Sequence, residues 1–140
     1  MEIIMINFTE FKNGVAICNT TPHPVTIQDM DGNLILVPVS ELVNAKVVEE
    51  EISDLFLTPK FEESPDGRRV IGEIKDKFVK TYGLNEAGPR LIILGSIIAA
   101  QAYPEEVFGM VPVPGYERVA PDQKRMRCDK FTMYPAKEVR

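Results

Sequence analysis

The chain has 140 residues, of which 44% are hydrophobic and 26% charged, and its mean hydropathy of −0.08 is typical of one globular domain spanning residues 1–140. No apolar run approaches the roughly 20 residues of a membrane helix, and the first six residues lack the basic flank and length of a signal peptide. We therefore expect a cytoplasmic protein with no membrane partner. Two cysteines and one histidine leave too few soft ligands for a transition-metal site, so no metal and no cofactor is expected.

The net charge of −5 is distributed unevenly along the chain. Residues 1–89 carry 15 acidic and 8 basic side chains, whereas residues 116–140 carry 4 acidic and 7 basic ones. An acidic surface repels the phosphates of a nucleic-acid polymer, so DNA and RNA are not expected partners. The basic cluster Lys124, Arg125, Arg127 and Lys130 is either a solvated surface strand or a site for a small anion with one or two phosphates.

Two hairpins are predicted in the first 40 residues. Asn13-Gly14 joins the segments 8–12 and 15–18, and this dipeptide favours a type I′ turn. A second hairpin joins 25–27 to 34–37 through a turn that contains Gly32. The polar connector between the two hairpins contains Pro22 and Pro24, which stiffen it.

The middle of the chain has weaker signals. Segments 46–52 and 54–57 are predicted as strands, and Ser64-Pro65-Asp66-Gly67 is predicted to be the turn of a hairpin that connects the region of Phe61 to Val70-Ile71. Residues 73–82 fit either a helix with Ile74, Phe78 and Tyr82 on one face or a strand.

The last third of the chain contains the clearest strand patterns. Leu91–Leu94 is typical of a central buried strand, and it leads into a short helix over 96–103 with Ser96 as its N-cap. The proline-broken segment 107–115 is predicted to be an edge strand, and 125–134 alternates like a strand. The fold class is therefore α+β, a mainly antiparallel β-sheet of hairpins with one or two short helices.

The sequence contains no recognisable set of catalytic residues, so an enzyme is not expected and no catalytic residue is assigned. His23 is the one side-chain base that titrates near neutrality, and Cys18 near it is more typical of a small core residue than of a nucleophile. The His23 ring either packs between the two prolines and donates to a backbone carbonyl, or it donates a hydrogen bond to a ligand. Ser96 either caps its own helix or exposes the helix N-terminus to an anion.

Tyrosines accompany the arginines near the C-terminal end. Tyr103, Tyr116 and Tyr134 are each flanked by Pro or Gly, where a ring either packs over the core or stacks on a nucleobase. A nucleotide site needs at least an arginine for the phosphate and an aromatic ring that stacks on the base. Residues 116–131 carry both kinds of side chain.

Four segments of the chain resemble a family of small phage and prophage proteins. Asn19-Thr20-Thr21-Pro22-His23 is similar to the Asn-x-Thr-Pro-His signature of the family, and segments 83–84, 88–102 and 111–115 are similar to the strand, helix and edge that follow it. Within this family the chain resembles the Thoeris anti-defence proteins of the sponge type, which bind cyclic ADP-ribose isomers and do not cleave them. The N-terminal extension before Asn19 departs from the pattern of the family.

The resemblance implies a homo-oligomer in the host cytoplasm that sequesters a cyclic nucleotide in pockets between subunits. Some relatives hold CBASS cyclic oligonucleotides at a separate site. A cyclic nucleotide with a diphosphate needs charge-assisted donors and a slot for adenine. The candidate ligand-binding residues are Arg118, Lys124, Arg125, Arg127, Tyr116, Tyr103, His23 and Ser96.

Two other functions are compatible with the sequence. A phage structural or interaction protein would pair its hairpins and its 107–114 edge with another chain, and it would bind no small molecule. An enzyme that hydrolyses a nucleotide would use His23 and consume the ligand. We place the binding protein first.

Overall fold

The computed structural model describes residues 6–84 and 86–136. The prediction that the chain begins without a signal peptide rests on residues 1–6, of which only Ile6 lies in the described ranges. Lys137 and Arg140, two of the basic residues near the C-terminal end, also lie outside these ranges. The described elements, in chain order, are β1 (Thr9–Glu10), β2 (Val15–Asn19), β3 (Val25–Gln28), β4 (Leu34–Val37), β5 (Ala45–Glu51), β6 (Leu57–Glu63), α1 (Pro65–Tyr82), β7 (Arg90–Leu94), α2 (Ile97–Ala102), β8 (Val107–Pro112), a 3-10 turn (Pro121–Gln123) and β9 (Met126–Thr132). None of the described helices is long and apolar enough to span a membrane.

The predicted α+β class is confirmed, and the larger of the two sheets is mixed. Its strand order is β1-β2-β7-β8-β9-β3-β4, while β5 and β6 form a separate antiparallel pair. The β2–β7, β7–β8 and β3–β9 pairs are parallel, and the other neighbours are antiparallel. An isolated parallel bridge between Asn19 and Val39 brings the two sides of the sheet together, so the sheet is nearly a closed barrel.

Two hydrophobic clusters lie on the two faces of this sheet. Ile17 and Leu94 point into the cluster enclosed by the curved sheet, whereas Cys18 and Ile93 point to the cluster under the helices. Because successive side chains of a strand point to opposite faces, β2 and β7 contribute side chains to both clusters, and the central residues of both strands are apolar. The prediction that 91–94 is a central buried strand is therefore confirmed.

Both predicted N-terminal hairpins are present, but the type I′ turn at Asn13-Gly14 is wrong. Gly14 has a φ of +85°, and among the described residues Glu105 is the one non-glycine with positive φ. Asn13 therefore does not adopt the left-handed conformation that a type I′ turn requires at both positions. The N–H of Phe11 donates to the carbonyl of Val15, which closes a longer turn.

The predicted hairpin turn at Ser64–Gly67 is wrong, because these residues start a helix. The Ser64 hydroxyl accepts a hydrogen bond from the Gly67 N–H at 2.9 Å, and Pro65 takes the first helical position. Turn and helix start favour the same residue types, since Pro has the φ of a first helical residue and Ser is a good N-cap. α1 therefore begins well before the predicted 73–82 segment.

The helical alternative for residues 73–82 is confirmed. Ile74 is buried in the core, and Phe78 and Tyr82 continue the same face. The Phe8 ring centroid lies 5.7 Å from that of Phe78 and 5.9 Å from that of Tyr82. This aromatic contact fixes the segment before β1 against α1.

The strand prediction over 46–52 is confirmed by β5, whereas 54–57 forms the turn of a hairpin except for Leu57, which starts β6. The short helix after β7 is also confirmed, since the Ser96 hydroxyl accepts from the Ala99 N–H at 3.1 Å.

The segment 107–115 forms a strand followed by a turn, as predicted, but its predicted position at the edge of the sheet is wrong. β8 lies between β7 and β9, and Pro112 stands at its end, where the pairing with β9 is irregular. Met110 pairs with Phe131, but Pro112 pairs with Met126, so the intervening part of β9 bulges. A proline is tolerated inside a sheet at such an irregularity.

Candidate functional site

The candidate site is built by β9 and the loop that precedes it. In this loop the N–H of Val113 donates to the Arg125 carbonyl at 3.0 Å, and the N–H of Tyr116 donates to the Val113 carbonyl at 2.9 Å. Gly115 has a φ of +93°, which an L side chain rarely adopts. The loop therefore folds back on the start of β9 and carries Tyr116 to Arg125.

Arg125 stacks on Tyr116. Its guanidinium carbon lies 4.1 Å from the centroid of the Tyr116 ring, and its Nη1 donates to Gln28 Oε1 at 3.3 Å. The Nε atom of Arg125 is buried and has no hydrogen-bond partner in the described part of the chain. A cation over an aromatic face is held mainly by the quadrupole of the ring, so the remaining N–H donors of the guanidinium stay available for an anion.

Arg125 differs from the other arginines that pack against the body of the protein. Arg68, Arg69 and Arg127 each hold at least one carboxylate at 2.7–3.0 Å. Within residues 6–84 and 86–136, no carboxylate lies within ion-pair distance of Arg125. Its charge therefore faces a ring and an amide, neither of which carries a net charge, and an anionic ligand would supply the missing counter-charge.

A cavity of about 300 Å³ lies beside this stack. Gln28, the hydrogen-bond partner of Arg125, lines it together with side chains of both polar and apolar character. The other lining residues are Asp29, Met30, Val113, Pro114, Arg127, Cys128 and Asp129. Met30, Val113 and Pro114 offer an apolar surface, and the remaining residues offer hydrogen-bonding groups.

Arg127 lines the cavity, but its charge is already paired. Its Nε and Nη2 donate to the two carboxylate oxygens of Asp129 at 2.8 and 3.0 Å. These bonds lower the pKa of Asp129 and raise that of Arg127. Burial raises the pKa of the neighbouring Cys128 thiol, which keeps it protonated at neutral pH. Arg127 and Asp129 thus offer a neutral pair rather than a free cation.

Lys124 and Arg118 are exposed and do not belong to the Arg125 stack. Lys124 lines a different, smaller cavity of about 180 Å³ together with Pro24 and Met126. Arg118 lies in the loop after Tyr116. The structure thus brings Tyr116, Arg125 and Arg127 to one region of the surface and sets Lys124 to one side of it.

Tyr103 has no face open to a ligand. It is fully buried, and its hydroxyl accepts from the Ser64 N–H at 2.8 Å and donates to the Asn44 carbonyl at 2.8 Å. The proposed role of Tyr103 as a stacking residue is therefore excluded in this conformation. The Ser96 hydroxyl is used as an N-cap, and α2 offers only one and a half turns.

The His23 side chain is exposed, and the hydrogen bonds of its connector go to its backbone carbonyl. Asn19 Nδ2 and Thr21 Oγ1 each donate to this carbonyl at 2.9 Å. Asn19 Oδ1 accepts from both the N–H and the hydroxyl of Thr21. The conformation of the connector is thus held by the buried Asn19 and Thr21, to which the sequence analysis gave no role.

Gln28 was also missed. It lies in β3, which pairs in parallel with β9 so that Gln28 stands opposite Arg127. Gln28 and Arg125 are 97 positions apart in the sequence, and the pairing of β3 with β9 brings them together. No local pattern in the sequence predicts this pairing.

Both cysteines are buried, whereas the His23 side chain is exposed. Cys18 is fully buried, and burial raises its pKa to about 11. No group of three or more His, Cys, Asp or Glu side chains in the described part of the chain could hold a metal ion. A further groove of about 400 Å³ lies between β6, α2 and the segment after β9, lined by Phe61, Pro104 and Tyr134 among others.

Comparison with known proteins adds no relative to these observations. The sequence matches no family model, no curated protein and no solved structure at a significant level.

Proposed function

We propose that this protein binds a phosphate-bearing cyclic nucleotide and sequesters it without cleaving it, as an anti-defence protein in the cytoplasm of a phage-infected cell. The observation that carries the proposal is Arg125, a half-buried guanidinium with an aromatic ring beneath it. Among the described residues, its buried Nε has no hydrogen-bond partner and its charge has no carboxylate partner. A partly desolvated cation without a counter-ion binds an anion more strongly than an exposed one, because water screens the charge less.

The cavity beside Arg125 suits the rest of such a ligand. A phosphate at Arg125 would leave the base to pack on Met30, Val113 and Pro114, which line the same cavity as Gln28. The amide of Gln28 and the carboxylate of Asp29 provide acceptors for ribose hydroxyls or an exocyclic amine. The similarity of residues 19–23 to the Asn-x-Thr-Pro-His signature supports the same assignment, including a homo-oligomeric state.

Stoichiometric recovery of the ligand tests this function. The purified protein is mixed with cyclic ADP-ribose isomers and with cyclic oligonucleotides, freed of unbound ligand, denatured, and analysed by mass spectrometry. Intact ligand in a fixed ratio to protein is the expected result. A consumed ligand would indicate an enzyme instead, and the absence of any bound ligand would overturn the proposal.

Variants then locate the site. Arg125→Ala removes the charge-assisted bonds to the phosphate and is expected to weaken binding about tenfold or more, since such bonds contribute about 1.5–3 kcal/mol each. Arg90→Ala is the matched control, because Arg90 is an exposed arginine at the start of β7. Equal affinity of the two variants would place the ligand elsewhere.

An interaction protein without a small-molecule ligand is the second candidate. The edge that was predicted for it at 107–114 is not available, because β8 has a neighbour on both sides. The observation that favours this candidate is instead the exposed apolar tip of the β5–β6 hairpin, where Leu55 is 84% exposed. Failure to recover any ligand, together with the assembly described below, would favour it.

A further inference from the structure

The β5–β6 hairpin, residues 45–63, extends from the body of the protein as an arm. Ala45 and Phe61 at its base pack against the core beneath the helices. Its far end is apolar and exposed, since Ile52, Leu55, Phe56 and Leu57 are 67%, 84%, 65% and 58% exposed, respectively. The tip is nevertheless ordered by backbone bonds, with the Ile52 N–H donating to the Phe56 carbonyl at 2.9 Å.

An exposed apolar tip of this kind is typical of a surface that binds another molecule. A two-stranded hairpin is marginally stable in water by itself, and contiguous exposed apolar side chains mark interaction sites. The arm is also acidic, with six acidic and two basic residues. Its partner should therefore present an apolar depression surrounded by positive charge.

The cavity beside Lys124 has this character. It has a volume of about 180 Å³, and its lining includes Val25, Met110, Pro121 and Met126 with Lys124 at its exposed side. The surrounding segment 116–130 carries five basic and three acidic residues, and without Arg125 and the Arg127–Asp129 pair it still carries three basic and two acidic ones. The chain thus presents both an acidic apolar tip and a basic apolar cavity.

We propose that the tip of the arm docks into the Lys124 cavity of a second copy of this chain. Leu55 or Phe56 enters the cavity, and Asp54 of the tip faces Lys124. The two surfaces are different parts of the molecule, so the contacts close either as a reciprocal pair, in which each tip enters the cavity of the other copy, or as a larger ring or filament. The proposal does not depend on the nucleotide, because neither Arg125 nor its cavity takes part.

Sedimentation equilibrium without ligand tests the contact. The wild type is expected to form assemblies of two or more copies, and Leu55→Asp with Phe56→Asp is expected to weaken association at least tenfold while the melting temperature is retained. Leu84→Asp is the control, since Leu84 is 90% exposed and lies outside the arm. A monomeric wild type, or an unchanged mass in the tip variant, would overturn the proposal.

Charge exchange tests the pairing and its head-to-tail character. Lys124→Glu and Asp54→Lys should each weaken association, and the two changes together in one chain should restore it. Mixing the tip variant with Lys124→Glu should not extend beyond a two-chain complex, because each pair of chains keeps at most one intact contact. Failure of the double exchange to restore association would mean that the arm docks elsewhere. Loss of nucleotide binding with assembly intact would contradict only the proposed function.

Discussion

The hydroxyl group of Tyr103 fills the space that a side chain at Gly67 would occupy. A Cβ at Gly67 would lie 2.0 Å from Tyr103 Oη and 2.3 Å from the backbone oxygen of Asn44. The same Oη accepts from the Ser64 N–H and donates to the Asn44 carbonyl. A single buried phenol therefore links the end of α2 to the N-cap of α1, and it requires a glycine in the first turn of that helix.

Gly67→Ala should destabilise the protein although alanine favours helices. The expected loss is about 2–3 kcal/mol of the free energy of unfolding, because the methyl group would displace Tyr103 or the backbone of Asn44 in a packed core. Urea denaturation measures this loss.

Gly72→Ala is the matched control in the same helix. A Cβ at Gly72 meets nothing within 4 Å, so this variant should be stabilised by up to about 1 kcal/mol. If both variants shift stability in the same direction, the contact with Tyr103 is not what selects glycine at position 67.

The connector between the hairpins should depend on Asn19 and not on the His23 ring. Asn19 is fully buried and its amide donates to the carbonyls of His23 and Val37 at 2.9 and 3.3 Å. Asn19→Ala removes one of the two donors to the His23 carbonyl, the side-chain donor to the Val37 carbonyl and the acceptor of the Thr21 N–H, and it should cost about 2–3 kcal/mol of stability. Thermal and chemical denaturation report the change.

His23→Ala should alter stability by no more than about 0.5 kcal/mol, because the connector is bonded to the backbone of His23. A loss as large as that of Asn19→Ala would instead support the interpretation in which the ring packs between the prolines.

Local signals in the sequence predicted much of the fold. The Asn13-Gly14 and Gly32 turns placed both hairpins, and Ser96 marked the start of α2. Ser64-Pro65 was misread because a helix start and a turn use the same residues, and only the packing of Ile74 against the core distinguishes them.

The candidate site was only partly predictable for a similar reason. Tyr116 and Arg125 share a loop and were correctly placed together, whereas Gln28 joins them through a parallel strand pair that no local pattern specifies. Tyr103 was misassigned because a tyrosine before proline reads as a rim residue, and its burial depends on α1 packing over it.

Glu106 should make the protein sensitive to acid. Hydrogen bonds from Arg68, and then from Lys75, lower the pKa of this carboxyl from 4.5 to about 2. Since the pKa in the folded state lies below the ordinary value, the ionised form stabilises the fold above about pH 4.5. This contribution is lost as the pH falls from 4.5 towards 2.

Glu106→Gln should remove this part of the acid sensitivity and cost about 1–2 kcal/mol at neutral pH, because the ion pairs are partly exposed. Stability measured against pH in the wild type, in this variant and in the Glu105→Gln control checks the assignment. Parallel curves for the wild type and Glu106→Gln below pH 4.5 would contradict it.

The turn between α2 and β8 carries backbone strain at Glu105. Its φ of +63° lies in the left-handed region, and its N–H donates to the Tyr134 carbonyl at 3.1 Å, which holds the turn in place. Glu105→Gly removes the Cβ that causes this strain, and the short polar side chain of Glu105→Asn is tolerated in the left-handed region because it can bond to the local backbone. Each variant should therefore raise the free energy of unfolding by about 0.5–1 kcal/mol. Glu105→Val should lower it by about 1 kcal/mol, since a β-branched side chain tolerates positive φ least. Melting curves of the three variants measure these changes in stability. If the backbone conformation determines them, Gly and Asn stabilise the protein and Val destabilises it. If loss of the carboxylate charge determines them, all three variants shift equally.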